Sequence, residues 1–507
     1  MFFAPLAALL LLAASAEAAT VNAGNDSLAS VQAAVNSASS GDTVVIPSGT
    51  ATWTSTLIIT KDINLIGAGI GQTTITDETV RVGGTSSLVS WTVGPSGYPR
   101  LSGFTFAGGT VNTAIGYSGL IAIGGSCPTL RVDHCKFNYV DNNGIVIQGA
   151  VYGVIDHCQF LQNWANGVEV YDTSYGDPSW ATPVQWGGTN FVCIENCSFY
   201  YPGYPSPAPE DMFAGAKIVF RYNNVTNEFF QDHGLETSGR LRSGRAVEVY
   251  ENNFIENVYQ WAGTVFELRG GTGVIFSNTV SANYKNFLDL QNYRSAENFS
   301  PWGSGNGKNL WDSNNPSLLA SGTHTGTNGS QVLVDASASW SANQWVGGFE
   351  VQDTTQGGTN NTSTTTTFSL ITANDTHDIT TISGHLGQMM NWNNGDHYAI
   401  YQSYKQMDQI GSGSGDLVSG GDSPVNSITG NPTWTHEVTE PLYVWGNTFN
   451  DAANYAIGQS GYSIIQLNRD YYNGVKPAYT PLVYPHPLTT VHQLAPPAGF
   501  AVATNAP

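Results

Sequence analysis

One short pattern recurs along the chain and limits what it can fold into. Val132-Asp133-His134-Cys135-Lys136-Phe137, Ile155-Asp156-His157-Cys158-Gln159-Phe160 and Ile194-Glu195-Asn196-Cys197-Ser198-Phe199 are three copies of one unit. Looser copies begin at Phe220, Val249, Ile275 and, much later, Val444. Most successive copies start 23 to 29 residues apart, too short a period for independent domains and within the range of stacked solenoid units. Each copy therefore reads as one rung, and each column of the alignment becomes a ladder with the interstrand spacing of about 4.8 Å. This predicts an all-β chain, a right-handed parallel β-helix.

The columns sort by chemistry. Val132, Ile155, Ile194, Phe220, Val249, Ile275 and Val444 form one apolar column, and Phe137, Phe160, Phe199, Val225, Phe254, Val280 and Phe449 form a second; both are expected in the core. Between them, Cys135, Cys158 and Cys197 give way to Asn223, Asn252, Asn278 and Asn447. Asn suits a bend because it tolerates turn conformations and can bond its amide to the rungs above and below. A buried Cys fills the same small slot, so these three cysteines are expected to be structural, and the odd total of five does not indicate a disulfide framework. Asp133, Asp156, Glu195 and Arg221 then fall on one face pointing away from the core.

Composition agrees with many short strands joined by turns: 57 Gly and only 11% charged residues. With 38 acidic against 17 basic residues and a net charge of -21, the chain lacks the basic footprint of a nucleic-acid binder. An apolar run from Leu6 to Ala14 followed by Ala16-Glu17-Ala18 reads as a secretory signal over residues 1–18, and no later stretch has the roughly 20 apolar residues of a membrane span. A secreted protein is expected.

Ser27 to Ala38 reads as a short amphipathic helix that would cap the open end of the solenoid. The repeat places a β-helix over residues 19–315 and its last rungs over 403–485. Between them, residues 316–402 alternate apolar and Ser/Thr residues and read as a small inserted β module, whose Trp340, Trp345 and Trp392 suit a core or a sugar-stacking face. From Lys476 onward the sequence is Pro-rich and is expected to hug the surface, ending in a loose tail over 486–507.

The opening segments Gly41 to Gly49, Leu57 to Thr60 and Ile63 to Gly69, together with the Asp-His-Cys rungs, resemble the pectate-lyase-like β-helix superfamily over roughly residues 27–290 and 440–485. The resemblance implies an extracellular carbohydrate-active protein, a polysaccharide lyase cleaving an acidic, uronate-containing glycan by Ca²⁺-assisted β-elimination. It places Asp133, Asp156 and Glu195 as candidate Ca²⁺ ligands. It also matches Arg240-Leu241-Arg242-Ser243-Gly244 to the segment carrying the catalytic arginine, although Gly239 and Thr237 stand where that pattern has Pro and Arg. Arg240 and Arg242, with His233 and Glu236 just before them, are the candidate catalytic residues. Arg221, Arg245 and Arg269, with Trp180 and Trp186 on the loop between rungs, are candidate substrate contacts.

Two other classes stay open. Paired carboxylates on a β-helix can hydrolyse a glycosidic bond, and Asp133, Asp156, Asp232 and Glu236 are the available acids. A stiff solenoid can also serve as a non-catalytic glycan binder, adhesin or surface fibre. The sequence does not fix the oligomeric state.

Overall fold

A computed structural model describes residues 18–81, 86–111, 118–162, 165–172, 183–203, 207–234, 243–258, 264–292, 318–346, 349–356, 367–381, 389–402, 409–413, 438–450, 452, 457–461 and 465–490. The expected signal segment lies almost wholly outside them. The described chain is nearly all β, dominated by large parallel sheets. No described helix is long and apolar enough to cross a membrane.

The repeat shows how the sheets arise. Lys217–Arg221, Ala246–Tyr250, Thr272–Phe276 and Leu442–Trp445 stack in parallel register in the first sheet, following Val192–Glu195 and the C-terminal halves of Ile121–Asp133 and Ile145–Asp156. After each comes a bend and a second-sheet strand, such as Gln159–Gln162, Ser198–Tyr200 or Asn253–Glu256. The chain then enters a third face, made by the N-terminal halves of Ile121–Asp133 and Ile145–Asp156, by Val168–Tyr171 and Glu210–Phe213, and onward by Phe230–Gln231, Thr264–Leu268, Asn286–Asn292 and Ile457–Gly461. The backbone of His233 donates to the carbonyl of Met212 and joins the two groups of this third face.

The bend has a fixed backbone recipe. His134, His157, Asn196, Tyr222, Glu251, Ser277 and Gly446 all have φ between 49° and 63°. Gly446 adopts this left-handed conformation freely and Asn196 tolerates it, while each of the others opposes it by about 1–2 kcal/mol. The next residue turns inward. Asn223 Nδ2 donates to Asn252 Oδ1 (3.1 Å), Asn252 Nδ2 to Asn278 Oδ1 (2.9 Å) and Asn278 Nδ2 to Asn447 Oδ1 (3.0 Å), a continuous buried amide ladder. The five cysteines are buried free thiols. Phe137, Phe160 and Phe199 stack face to face at 4.7 Å in the adjoining core column.

The helix Leu28–Ser37, capped at Ser27, buries Val31, Ala34 and Val35 against the first rungs. Lys61 Nζ donates to the carbonyls of Val35 and Asn36 near its C-terminal end, where a cation suits the helix dipole. The described residues between 318 and 402 contribute a separate six-stranded antiparallel sheet with its own core. Trp392 and Trp345 are buried there and Trp340 packs against them, so these indoles serve as core.

Candidate functional site

The first-sheet ladder expected to be exposed is covered. Residues 476–490 run back across it, from the rung of Trp445 to that of Arg131. Tyr479 Oη donates to Glu248 (2.6 Å), Arg221 donates to the carbonyls of Leu482 (2.6 Å) and Val483 (3.1 Å), the backbone N–H of His486 donates to Glu195 (2.9 Å), and Arg131 reaches the carbonyl of Leu488 (3.4 Å). His486 and the turn Pro487–Thr490, expected in the loose tail, are thus seated on the sheet.

Beneath this strap the proposed Ca²⁺ ligands already have cationic partners. Arg100 holds Asp133 through two bonds of 2.6 and 2.7 Å, Arg131 holds Asp156 through bonds of 2.9 and 3.0 Å, and Arg221 Nε donates to Glu195 at 2.8 Å. Asp133, Asp156 and Glu195 are fully buried. Burial alone would raise the Asp133 pKa, but Arg100 and His134 hold it well below the usual carboxylate range. Their carboxylate oxygens are engaged by guanidinium donors, so this ladder does not fit a Ca²⁺ site. Among the described residues no group of three or more His, Cys, Asp or Glu is arranged to hold a metal ion.

Three expected substrate contacts are likewise structural. Arg221 is buried between Glu195, Tyr250 and the strap. Arg245 is buried in an ion pair with Glu440 (2.6 Å). Trp186 packs edge-on against Tyr479 and beneath Lys476. Trp180, Glu236, Arg240 and Arg242 lie outside the described residues.

His233 and Arg269 remain, and the third sheet brings them together. The strands Val168–Tyr171, Thr264–Leu268 and Asn286–Asn292 alternate apolar and polar residues along most of their length, so every second side chain points away from the core; in Glu210–Phe213 the outward places fall to Asp211 and Phe213, and the buried Glu210 takes the inward place beside Val168. Register then builds one outward row from Glu169, Asp211, Gln231, Glu267 and Asp289. A parallel row holds Tyr171, Phe213, His233, Arg269 and Gln291. In it Tyr171 stacks on Phe213 at 5.0 Å, Phe213 on His233 at 4.1 Å, and Arg269 Nε donates to Gln291 at 3.2 Å.

The two rows are cross-linked. His233 Nδ1 lies 2.7 Å from Asp211 Oδ1, and the Asp211 carboxylate also accepts from Gln231 Nε2 (3.0 Å), Asn166 Nδ2 (3.3 Å) and the Met212 N–H (2.9 Å). Glu169 accepts from Tyr171 Oη and Asn143 Nδ2. Burial, aided by the charge of Asp211, pushes the Glu169 carboxyl up to about 8, so it carries a proton at neutral pH. Burial also raises Glu267. The His233 side chain is 20% exposed and that of Arg269 14%, against 3% for Asp211, so the imidazole is accessible with Asp211 as its support, while Arg269 lies 3.8 Å from the Glu267 carboxylate just before it in the chain. Gly234 lets its backbone lie close to that of Arg269, since a Cβ there would lie 2.8 Å from the Arg269 carbonyl oxygen.

This arrangement offers a base oriented by a carboxylate, a cation one rung away, and a protonated acid on the other side. Glu169 and Asp211 were missed because the repeat was aligned on the bend between the first two sheets. The signal was present in Val168-Glu169-Val170-Tyr171 and Leu288-Asp289-Leu290-Gln291, where acids alternate with apolar residues.

No family model matches the chain, and no curated protein matches it. Among solved structures, it is similar to an ORF18 chain of Geobacillus virus E2, with 16% identity and a TM-score of 0.30, over 52% of this chain and 57% of that one. It is also similar to an alginate lyase from Paenibacillus sp. str. FPU-7, with 14% identity and a TM-score of 0.24, over 52% of this chain and 95% of the other.

Proposed function

We propose that this protein is a secreted right-handed parallel β-helix, capped by its N-terminal helix, that cleaves an acidic, uronate-containing polysaccharide by β-elimination on its third sheet. The observation that carries the reading is the Asp211-supported His233 imidazole beside Arg269. His233 Nε2 removes the proton α to the uronate carboxylate, and Asp211 stabilises the imidazolium that forms. Arg269 binds the carboxylate and offsets the negative charge that grows on it as the proton leaves. The electron pair then forms the new C–C double bond as the bond to the glycosidic oxygen breaks, that oxygen takes a proton from water, and the imidazolium returns its proton to solvent. Arg269 thereby fills the role the resemblance gave to a cation. On the described side of this site, Gly244 donates its N–H to the carbonyl of His233 (3.1 Å).

Hydrolysis is the second reading, favoured by the proton that Glu169 retains at neutral pH beside the Asp211 carboxylate, an acid and a base on neighbouring rungs. Incubation with a panel of uronate polysaccharides, with and without chelator, separates the readings. Ultraviolet absorbance from unsaturated ends supports elimination, reducing ends without absorbance indicate hydrolysis, and glycan retention without products indicates a binder.

A further inference from the structure

We infer that the strap over residues 476–490 is a proton-gated clasp, docked on the first sheet while His486 is neutral and released when that imidazole takes a proton. The strap is not a strand of the sheet it covers. It crosses the strands and is held mainly by side chains of the solenoid reaching its backbone: Arg221 at Leu482 and Val483, Glu195 at His486, and Arg131 at Leu488. Its own side chains add Tyr479 on Glu248 and Tyr484 on Asn196. Such an attachment can part without unpairing any rung.

His486 is the titratable group at its centre. The residue is 2% exposed; Nδ1 accepts the N–H of Leu488 at 3.2 Å, and Nε2 is buried without a hydrogen-bond partner among the described residues. Four charged residues face it from four successive strands: Arg131, Asp156, Glu195 and Arg221. The two acids are already committed, Asp156 to Arg131 and Glu195 to Arg221. A proton on His486 would therefore add an uncompensated buried charge next to two guanidinium groups.

Burial, and then the charge of Arg221, depress the imidazole from its usual 6.5 to about 4. Docking is therefore fully favourable above pH 6.5 and weakens as pH falls from 6.5 to about 4, where the released strap binds a proton that the docked strap cannot. Below about 4 the dependence levels off. The midpoint of release lies inside this window and depends on how tightly the neutral strap holds.

Hydrogen exchange followed by mass spectrometry on the full chain, corrected for intrinsic rates, tests this. Amides of 482–490 should be protected at pH 7.5 and lose at least tenfold of that protection at pH 4.5, while the strands Val192–Glu195 and Lys217–Arg221 remain protected. His486→Asn keeps an acceptor for the Leu488 N–H and has no proton to gain, so its strap should stay protected at pH 4.5. Protection that does not change with pH in the parent protein overturns the proposal, as does equal loss in the variant. Should the variant be loosened already at pH 7.5, the ring signal of ¹³C-labelled His486 decides. A midpoint well below 6 supports the clasp, and an ordinary midpoint near 6.5 overturns it.

Discussion

Asp211 Oδ1 and His233 Nδ1 lie 2.7 Å apart although the two residues belong to successive rungs, so the stacking of the solenoid itself builds the pair. Replacing His233 with Gln should lower turnover by about 10²–10⁴-fold, the range for loss of a general base, with little change in melting temperature. Asp211→Asn should lose most of that activity as well, since the ring loses its orienting partner. Wild-type rates of unsaturated-product formation in His233→Gln would remove the imidazole from the mechanism.

Asp156 belongs to stability rather than catalysis. Asp156→Asn removes the two-bond partner of the buried Arg131 guanidinium and leaves it only Asp133 at 3.5 Å, so it should cost up to about 3 kcal/mol. Urea denaturation measures the loss, which should be the same in Ca²⁺ and in chelator. A loss seen only when Ca²⁺ is present would restore this acid as a metal ligand.

Glu169 predicts a pH dependence of stability with a defined sign. Its carboxyl titrates near 8 when folded and near 4.5 when unfolded, so its contribution is complete below pH 4.5 and is lost as pH rises towards 8. The loss approaches about 1.4 kcal/mol per pH unit within that window. Glu169→Gln removes the titration, so the difference in stability between variant and parent should widen from pH 5 to pH 8 in favour of the variant. Parallel curves would show that Glu169 titrates normally.

Ser277 occupies the bend conformation at φ 54° that Gly446 adopts at 63° in the following rung. Ser277→Gly should stabilise the fold by about 0.5–1 kcal/mol, the relief of the left-handed penalty less the added freedom of the unfolded chain. Thermal melting gives the sign directly; a destabilised variant would mean that the Ser277 side chain contributes more than the bend costs.

The inward columns and the Asn ladder were legible because each depends only on neighbouring rungs with the same local pattern. The fate of Asp133, Asp156, Glu195 and Arg221 was not, because alternation says only that they leave the core. Whether they meet water is decided by residues 482–489, more than 260 positions beyond Arg221. The candidate site was half legible. Asp232-His233 stood out as a polar cluster, but its partners Glu169, Asp211 and Arg269 come from three other rungs, and only the register of the third sheet shows that they share a face with His233.

In a stack where each rung touches only its neighbours, stability adds up locally and any segment can open by itself. A strap anchored at Glu248, Arg221, Glu195 and Arg131 changes that accounting, since opening one central rung also means lifting a segment held by the others. It ties sub-global openings to a single cooperative event. It also postpones completion of that face until residues 476–490 have been synthesised, so a growing chain carries its Arg and acid ladder open to solvent until they arrive.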